Sequence, residues 1–113
     1  MRVAIIGSRN LRIENIEKYI PDECGEIVTG GARGIDTCAA EYARSKGIKL
    51  TEFLPDYRRY GRGAPIIRNR EIIEYAQRVV VIWDGRSRGS DNVIKECTKR
   101  GVDVRVFLIN KEE

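Results

Sequence analysis

The sequence predicts a Rossmann-like α/β domain of three layers: a five-stranded parallel sheet of order 3-2-1-4-5 with helices on both faces. Three observations predict it. Short apolar, β-branched runs recur five times in 113 residues, stretches with helical apolar spacing separate them, and glycine-bearing loops stand where strands should hand over to helices. Parallel strands buried on both faces read as continuous apolar runs rather than alternating ones. Right-handed crossovers then favour the 3-2-1-4-5 order, with a ligand crevice beyond the carboxyl ends of the first and fourth strands.

Taken in order, Val3–Ile6 is the first strand candidate, followed by a helix in which Ile13, Ile16 and Ile20 repeat at helical spacing before Pro21. Glu26–Thr29 is the second strand. Ile35, Cys38, Ala39, Tyr42 and Ala43 mark the next helix, which Gly47 should end. Ile48–Phe53 is the third strand, and the irregular stretch Leu54–Ala64 is longer than most strand-to-helix loops, which suggests function. A third helix should begin near Pro65, whose missing N–H costs nothing in a first turn. Within it Asn69 should share a sheet-facing side with Ile66, Ile72, Ile73 and Ala76, and a buried amide there needs partners. Val79–Trp83 is the fourth strand. Ser90 is the expected N-cap of the fourth helix, with Val93, Ile94 and Cys97 inward and Gly101 near its end, before a last strand Val104–Ile109.

Composition narrows the chemistry. With 42% hydrophobic and 34% charged residues the chain is expected to form one domain over residues 1–113. No segment reaches the ~20 apolar residues of a membrane span, and the opening MRVAIIGS lacks the pattern of a signal peptide, so a cytoplasmic location is expected. Cys24, Cys38 and Cys97 are far apart with no CxxC spacing and read as buried small hydrophobes. There is no histidine, which excludes a histidine base, a histidine metal ligand and any Ser-His or Cys-His nucleophile. No metal or other cofactor is expected. The net charge of +4 is small, but nine of the fifteen arginines and no lysine fall in or beside the glycine loops. Arginine's planar fork suits bidentate capture of phosphate or carboxylate.

Four loops carry the candidate ligand-binding residues. Gly7, Ser8 and Arg9 end the first strand, where glycine admits a close backbone approach and the serine hydroxyl can reach a phosphate or ribose oxygen. After the second strand come Gly30, Gly31, Ala32, Arg33, Gly34 and Asp36, a glycine turn opening a helix whose free N–H groups suit an anion. It is neither a P-loop nor a dinucleotide fingerprint. Asp36 reads as a ribose ligand or as a simple dipole partner of its helix. The third loop offers Tyr60 for stacking, with Arg68 and Asn69 on the helix beyond. Trp83, Asp84, Gly85, Ser87, Arg88, Gly89 and Ser90 form the fourth, in which Trp83 reads as a base-stacking or a core residue and Asp84 as the carboxylate nearest the crevice.

The segments VAIIGSR, TGGARGID, YGRGAPIIRNR and WDGRSRGS, in that order over residues 1–109, resemble the SLOG superfamily, which joins the Smf/DprA and Lonely Guy groups. The chain is most similar to the small YspA-like, YpsA-related members. The resemblance implies a Rossmann-like fold and a nucleotide-type ligand held by the loops after strands two and four. In the Lonely Guy phosphoribohydrolases related loops carry GGGxxGLMG and PGGxGTxxE patterns with a catalytic arginine between them. Gly30, Gly31 and Gly34 match the first, Gly89 and Ser90 approximate the second, and Arg68 falls where the arginine would. The glutamate does not carry over, since Asp91, Asn92 and Val93 follow Gly89-Ser90.

The leading expectation is therefore a binding or sensor domain for a phosphorylated nucleotide-type small molecule, of the ADP-ribose or NAD kind. The alternative is a phosphoribohydrolase or deoxyribosyltransferase acting on nucleoside monophosphates, with Arg68 and Asp84 as catalytic candidates. A third reading is single-stranded DNA binding, which the small charge excess and the crevice-bound arginines disfavour. No membrane partner is expected, and the relatives imply a homodimer.

Overall fold

A computed structural model describes residues 1–109. Five parallel strands, β1 (Arg2–Gly7), β2 (Glu26–Thr29), β3 (Lys49–Glu52), β4 (Arg78–Trp83) and β5 (Val104–Leu108), pair in the order β3-β2-β1-β4-β5. The register sets Ala4 beside both Val28 and Val79. This is the predicted Rossmann-like sheet. Ile109 lies just past β5, although its N–H still donates to the Trp83 carbonyl at 2.8 Å. Among the described residues no helix is long and apolar enough to cross a membrane.

Strand alternation divides the core in two. Val3, Ile5, Ile27, Val80 and Ile82 meet Ile35, Cys38, Ala39 and Ala43 of helix α1 (Ile35–Lys46) on one face. Ala4, Ile6, Val28, Val79 and Val81 meet Ile72 and Ile73 of helix α3 (Ala64–Tyr75), Ala76 just past its end, and Val93 and Cys97 of helix α4 (Arg88–Arg100), on the other. Gly47 and Gly101 end α1 and α4 in left-handed conformation, and Pro65 occupies the first turn of α3.

Four expectations need correction. The helix expected from Ile13, Ile16 and Ile20 is only a 3-10 turn, Ile16–Tyr19. Its buried anchors are Leu11 and Ile16, five positions apart, a spacing that no helical face repeats, while Ile13 and Ile20 are only partly buried. Ser87 rather than Ser90 stands at the N-cap position of α4, because the Asp84 carboxylate gathers the N–H groups of Arg86 and Ser87 into a turn that delivers the chain to Arg88. Ile66 is exposed and does not share the buried side of α3, since it sits roughly 90° around the axis from the centre of the face made by Arg68, Asn69, Ile72, Ile73 and Ala76. Cys38 and Cys97 are buried, but Cys24 is only half-buried, its thiol donating to the Glu26 carbonyl at 3.4 Å.

The stretch Leu54–Ala64 contains a single turn of helix, α2 (Tyr57–Tyr60), which Asp56 caps by accepting from the Arg59 N–H at 3.1 Å, and then a 3-10 turn, Gly61–Gly63. At the far end of α3, the Tyr75 hydroxyl donates to Glu26 Oε2 at 2.5 Å and the Thr51 hydroxyl donates to the same oxygen at 2.7 Å. Lys49 adds an ion pair at 3.4 Å. Burial of the Glu26 carboxyl works against its ionisation, but these two hydroxyls and the Lys49 ammonium outweigh it and hold its pKa below the usual range.

Candidate functional site

Between α3 and α4, beyond the carboxyl ends of β1 and β2, lies a cavity of about 450 Å³. That is within the range of small-molecule pockets, ~300–1,000 Å³. It overlaps the crevice expected beyond the first and fourth strands, through Gly7 and Ser87, and extends from there to Gly30 and Ala32 after β2. Ile6, Pro65, Ile72 and Val93 give it an apolar floor, and polar groups from three loops and two helices stand around it.

The β1 and β2 loops are clamped together. Gly7 has no room for a side chain, because a Cβ there would strike the Ile82 carbonyl and the Ile35 side chain. Ser8 is fully buried; its hydroxyl accepts the Asp84 N–H at 3.0 Å and its carbonyl accepts the Ile35 N–H at 3.3 Å. Gly34, at φ +77°, presses against the Ser8 and Arg9 carbonyls, where any other residue would both clash and adopt a left-handed backbone. Asp36 completes the clamp. One carboxylate oxygen accepts from Gly7 N–H at 3.3 Å, and the other accepts from Gly30 at 2.8 Å and Ala32 at 3.5 Å. Burial pushes its pKa up against the opposing effect of these donors.

Arg68 is the electrostatic centre of the cavity. Only 7% exposed, its guanidinium donates to the Gly30 carbonyl and, through Nε at 2.9 Å, to Asn69 Oδ1. Among the described residues no carboxylate comes within 4.0 Å of it and no protein acceptor engages Nη2. Burial depresses its pKa, with the Asp36 carboxylate as the main opposing influence. A buried cation without a contact counter-ion is costly by several kcal/mol. An anion in the cavity would remove that cost. Asn69 ties the arrangement to α4 by donating to Asn92 Oδ1 at 3.2 Å.

α4 opens on the same cavity. Arg88, Gly89 and Ser90 occupy its first turn and line the wall, and as first-turn residues their N–H groups have no intrahelical acceptor. The positive end of the α4 dipole is therefore presented to the space beside Arg68. Asp84 is already committed within its own loop: Oδ1 accepts from the Arg86 and Ser87 N–H groups at 2.8 and 2.9 Å and from the Ser87 hydroxyl at 3.1 Å. Burial acts to raise its pKa, but these donors outweigh it and hold the carboxyl far below the usual range.

Of the candidate residues, Gly7, Arg9, Gly30, Ala32, Asp36, Arg68 and Asn69 converge on the cavity wall, joined by Ser87, Arg88, Gly89 and Ser90. Ser8, Gly34 and Asp84 lie behind it as the clamp and turn just described. Gly31 packs against Leu54, and Gly85, at φ +84°, forms the turn beside Leu108. Arg33 is exposed. Tyr60 is exposed on α2 with the Arg59 guanidinium 5.2 Å from its ring centre. Trp83 packs against the α3–α4 core, and its indole N–H donates to the Ser87 carbonyl at 3.0 Å. Asn10, on the wall, was not singled out in the sequence, although it directly follows Gly7-Ser8-Arg9. The apolar floor was read only as core, because Ile72 and Val93 carry no signal that separates the two roles.

Strand order and site together define a Rossmann-like α/β protein with a cleft, lined by a buried arginine and a helix N-terminus, at the carboxyl ends of its central strands. The chain belongs to the YAcAr family, the YspA, cpYpsA-related SLOG family, whose model matches residues 1–60. That segment holds the β1 and β2 loops with their clamp; Arg68 and the α4 entrance lie beyond it. No curated protein and no solved structure matches the chain significantly.

Proposed function

We propose that the protein binds a phosphorylated, nucleotide-type small molecule in this cleft and serves as a binding or sensor domain. The observation that carries the reading is Arg68, a buried guanidinium with no contact counter-ion among the described residues, facing a cavity that the first turn of α4 also enters. A phosphate between them would receive the Arg68 fork and the N–H groups of Gly89 and Ser90, with Arg9 and Arg88 at the rim. The apolar floor of Ile6, Ile72 and Val93 would accommodate a sugar or base face, and Asn10 offers an amide for its polar edge. Membership of a SLOG family, which points to nucleotide-related ligands, supports the same reading.

Thermal melting against AMP, ADP, ADP-ribose, NAD and their phosphorylated relatives tests it. At 100 times its dissociation constant a ligand adds ~2.7 kcal/mol, a rise on the order of 10 °C for a domain of this size. No shift with any of them overturns the proposal, as does tight, salt-sensitive binding of single-stranded DNA with no nucleotide shift.

Binding rather than cleavage is favoured by the carboxylates. Breaking an N-glycosidic bond calls for one near the anomeric carbon. Among the described residues Asp36 is the one acid on the cavity wall, and both its oxygens are occupied. Asp91 is engaged by Lys95 at 2.8 Å. Incubation with AMP, CMP, GMP and their deoxy forms is expected to release free base far more slowly than ~1 s⁻¹, the low end of ordinary enzymes. Turnover near that rate would make the enzyme reading the better one.

A further inference from the structure

The two edges of the sheet are built differently. β3 is a short strand of four residues with Lys49 and Glu52 exposed, each in an ion pair, with Glu26 at 3.4 Å and with Arg44 at 3.4 Å respectively. Charges of this kind keep an edge from pairing with another chain. β5 carries one exposed charge, Arg105, in an ion pair with Asp103 at 3.0 Å, but its centre and far end are apolar. Its outer backbone edge faces no strand among the described residues, and Val106, Phe107 and Leu108 are 43%, 36% and 69% exposed. One face of the edge is apolar, since Val104 packs toward the α4 core and places Val106 and Leu108 on that side, while on the other Phe107 stacks on Tyr19 at 4.9 Å beside Arg105.

The order of side chains along β5 is self-complementary. A two-fold axis perpendicular to the sheet at Val106 lays a second β5 antiparallel to the first. Val106 then meets its own copy, Val104 meets Leu108, and Arg105 meets Phe107 twice over. The apolar row on the α4 side becomes continuous, and on the opposite side each guanidinium comes over an aromatic ring, a favourable pair. Moving the axis to Arg105 would set two like charges against each other, and moving it to Phe107 would leave Val104 with no partner in β5, so the Val106 register is the one that pairs all five residues.

We propose that two copies of this chain pair through β5 in that register, forming a continuous ten-stranded sheet. The interface is isologous, so each off-axis side-chain pair occurs twice and the Val106 pair on the axis once. Because the strands run antiparallel across the axis, the two clefts open at opposite ends of the sheet and neither is closed by the partner. The dimer is thus independent of ligand binding, and either proposal can fail without the other.

Sedimentation velocity over a concentration series, with circular dichroism to verify folding, tests the pairing. The native chain is expected to dimerise. Val106→Lys, which sets two ammonium groups face to face at the axis, is expected to raise the dimer dissociation constant about tenfold, one like-charge pair having replaced one apolar pair. Phe107→Glu and Phe107→Arg lose the same stacking on Tyr19 but differ across the interface: the glutamate meets Arg105 and keeps the dimer, while the arginine meets Arg105 and breaks it. This pair decides the matter even if Val106→Lys fails to fold. A native chain that stays monomeric up to about 1 mM overturns the proposal, including one whose edge binds only some other protein. So does a dimer unmoved by Val106→Lys, or one that Phe107→Glu and Phe107→Arg affect alike.

Discussion

Arg68→Met should lower affinity for a phosphorylated nucleotide about 100-fold, the worth of one or two charge-assisted hydrogen bonds at ~1.5–3 kcal/mol each. Methionine keeps much of the volume and removes the fork. The folded state should change little. The Gly30 carbonyl and Asn69 Oδ1 lose a donor, but they border a cavity that water can enter, and the uncompensated buried charge disappears with the guanidinium. The melting temperature is therefore expected to stay within a few degrees of the native value. Arg68→Lys should recover only part of the affinity, because an ammonium supplies charge without bidentate geometry. Titration calorimetry with a nucleotide and its unphosphorylated nucleoside separates the effects: the loss should fall on the nucleotide alone. Affinity reduced less than threefold would remove Arg68 from the site.

Asp36→Ala should destabilise the fold by about 3 kcal/mol, lowering the melting temperature by on the order of 10 °C. Three N–H groups, those of Gly7, Gly30 and Ala32, converge on this carboxylate from two loops. Each buried donor left unpaired costs ~1–3 kcal/mol, and the neighbouring cavity lets water recover part of the sum. Asp36→Asn should cost less than alanine, since its one carbonyl oxygen still accepts while its NH₂ is turned against a donor. Denaturant unfolding of both variants checks this. A loss below about 1 kcal/mol for Asp36→Ala would mean that the clamp rests on the Gly34–Ser8 contact instead.

Why the fold was so legible, and the site less so, follows from the range of the forces involved. The apolar runs of β1 and β4 announce strands covered on both faces, and Gly47, Pro65 and Gly101 punctuate helices by their own backbone preferences. Those signals are local. The first helix was misread because three isoleucines at helical spacing need a common surface, and the chain buries Leu11 and Ile16 instead. The entrance to α4 was misplaced because Ser87 and Ser90 are equivalent in sequence, and a carboxylate three positions before Ser87 decides between them. At the site, glycine and arginine marked the loops correctly, but residue type could not tell which polar groups the protein consumes internally. The Ser8 hydroxyl is taken by the backbone of Asp84, 76 positions away. Asp84 and Trp83 are spent on the same loop. No local pattern reveals such long-range pairings.

The anchoring of α3 at Glu26 bears on the energetics of capture. The helix that carries Arg68 is held at one end by the Tyr75 hydroxyl on a buried carboxylate and at its middle, beside Arg68, by the amide bridge from Asn69 to Asn92. The guanidinium thus waits in place before any ligand arrives, and little motional freedom remains to be surrendered on association. Variation in affinity among phosphorylated ligands should accordingly show itself in residence time rather than in the rate of arrival.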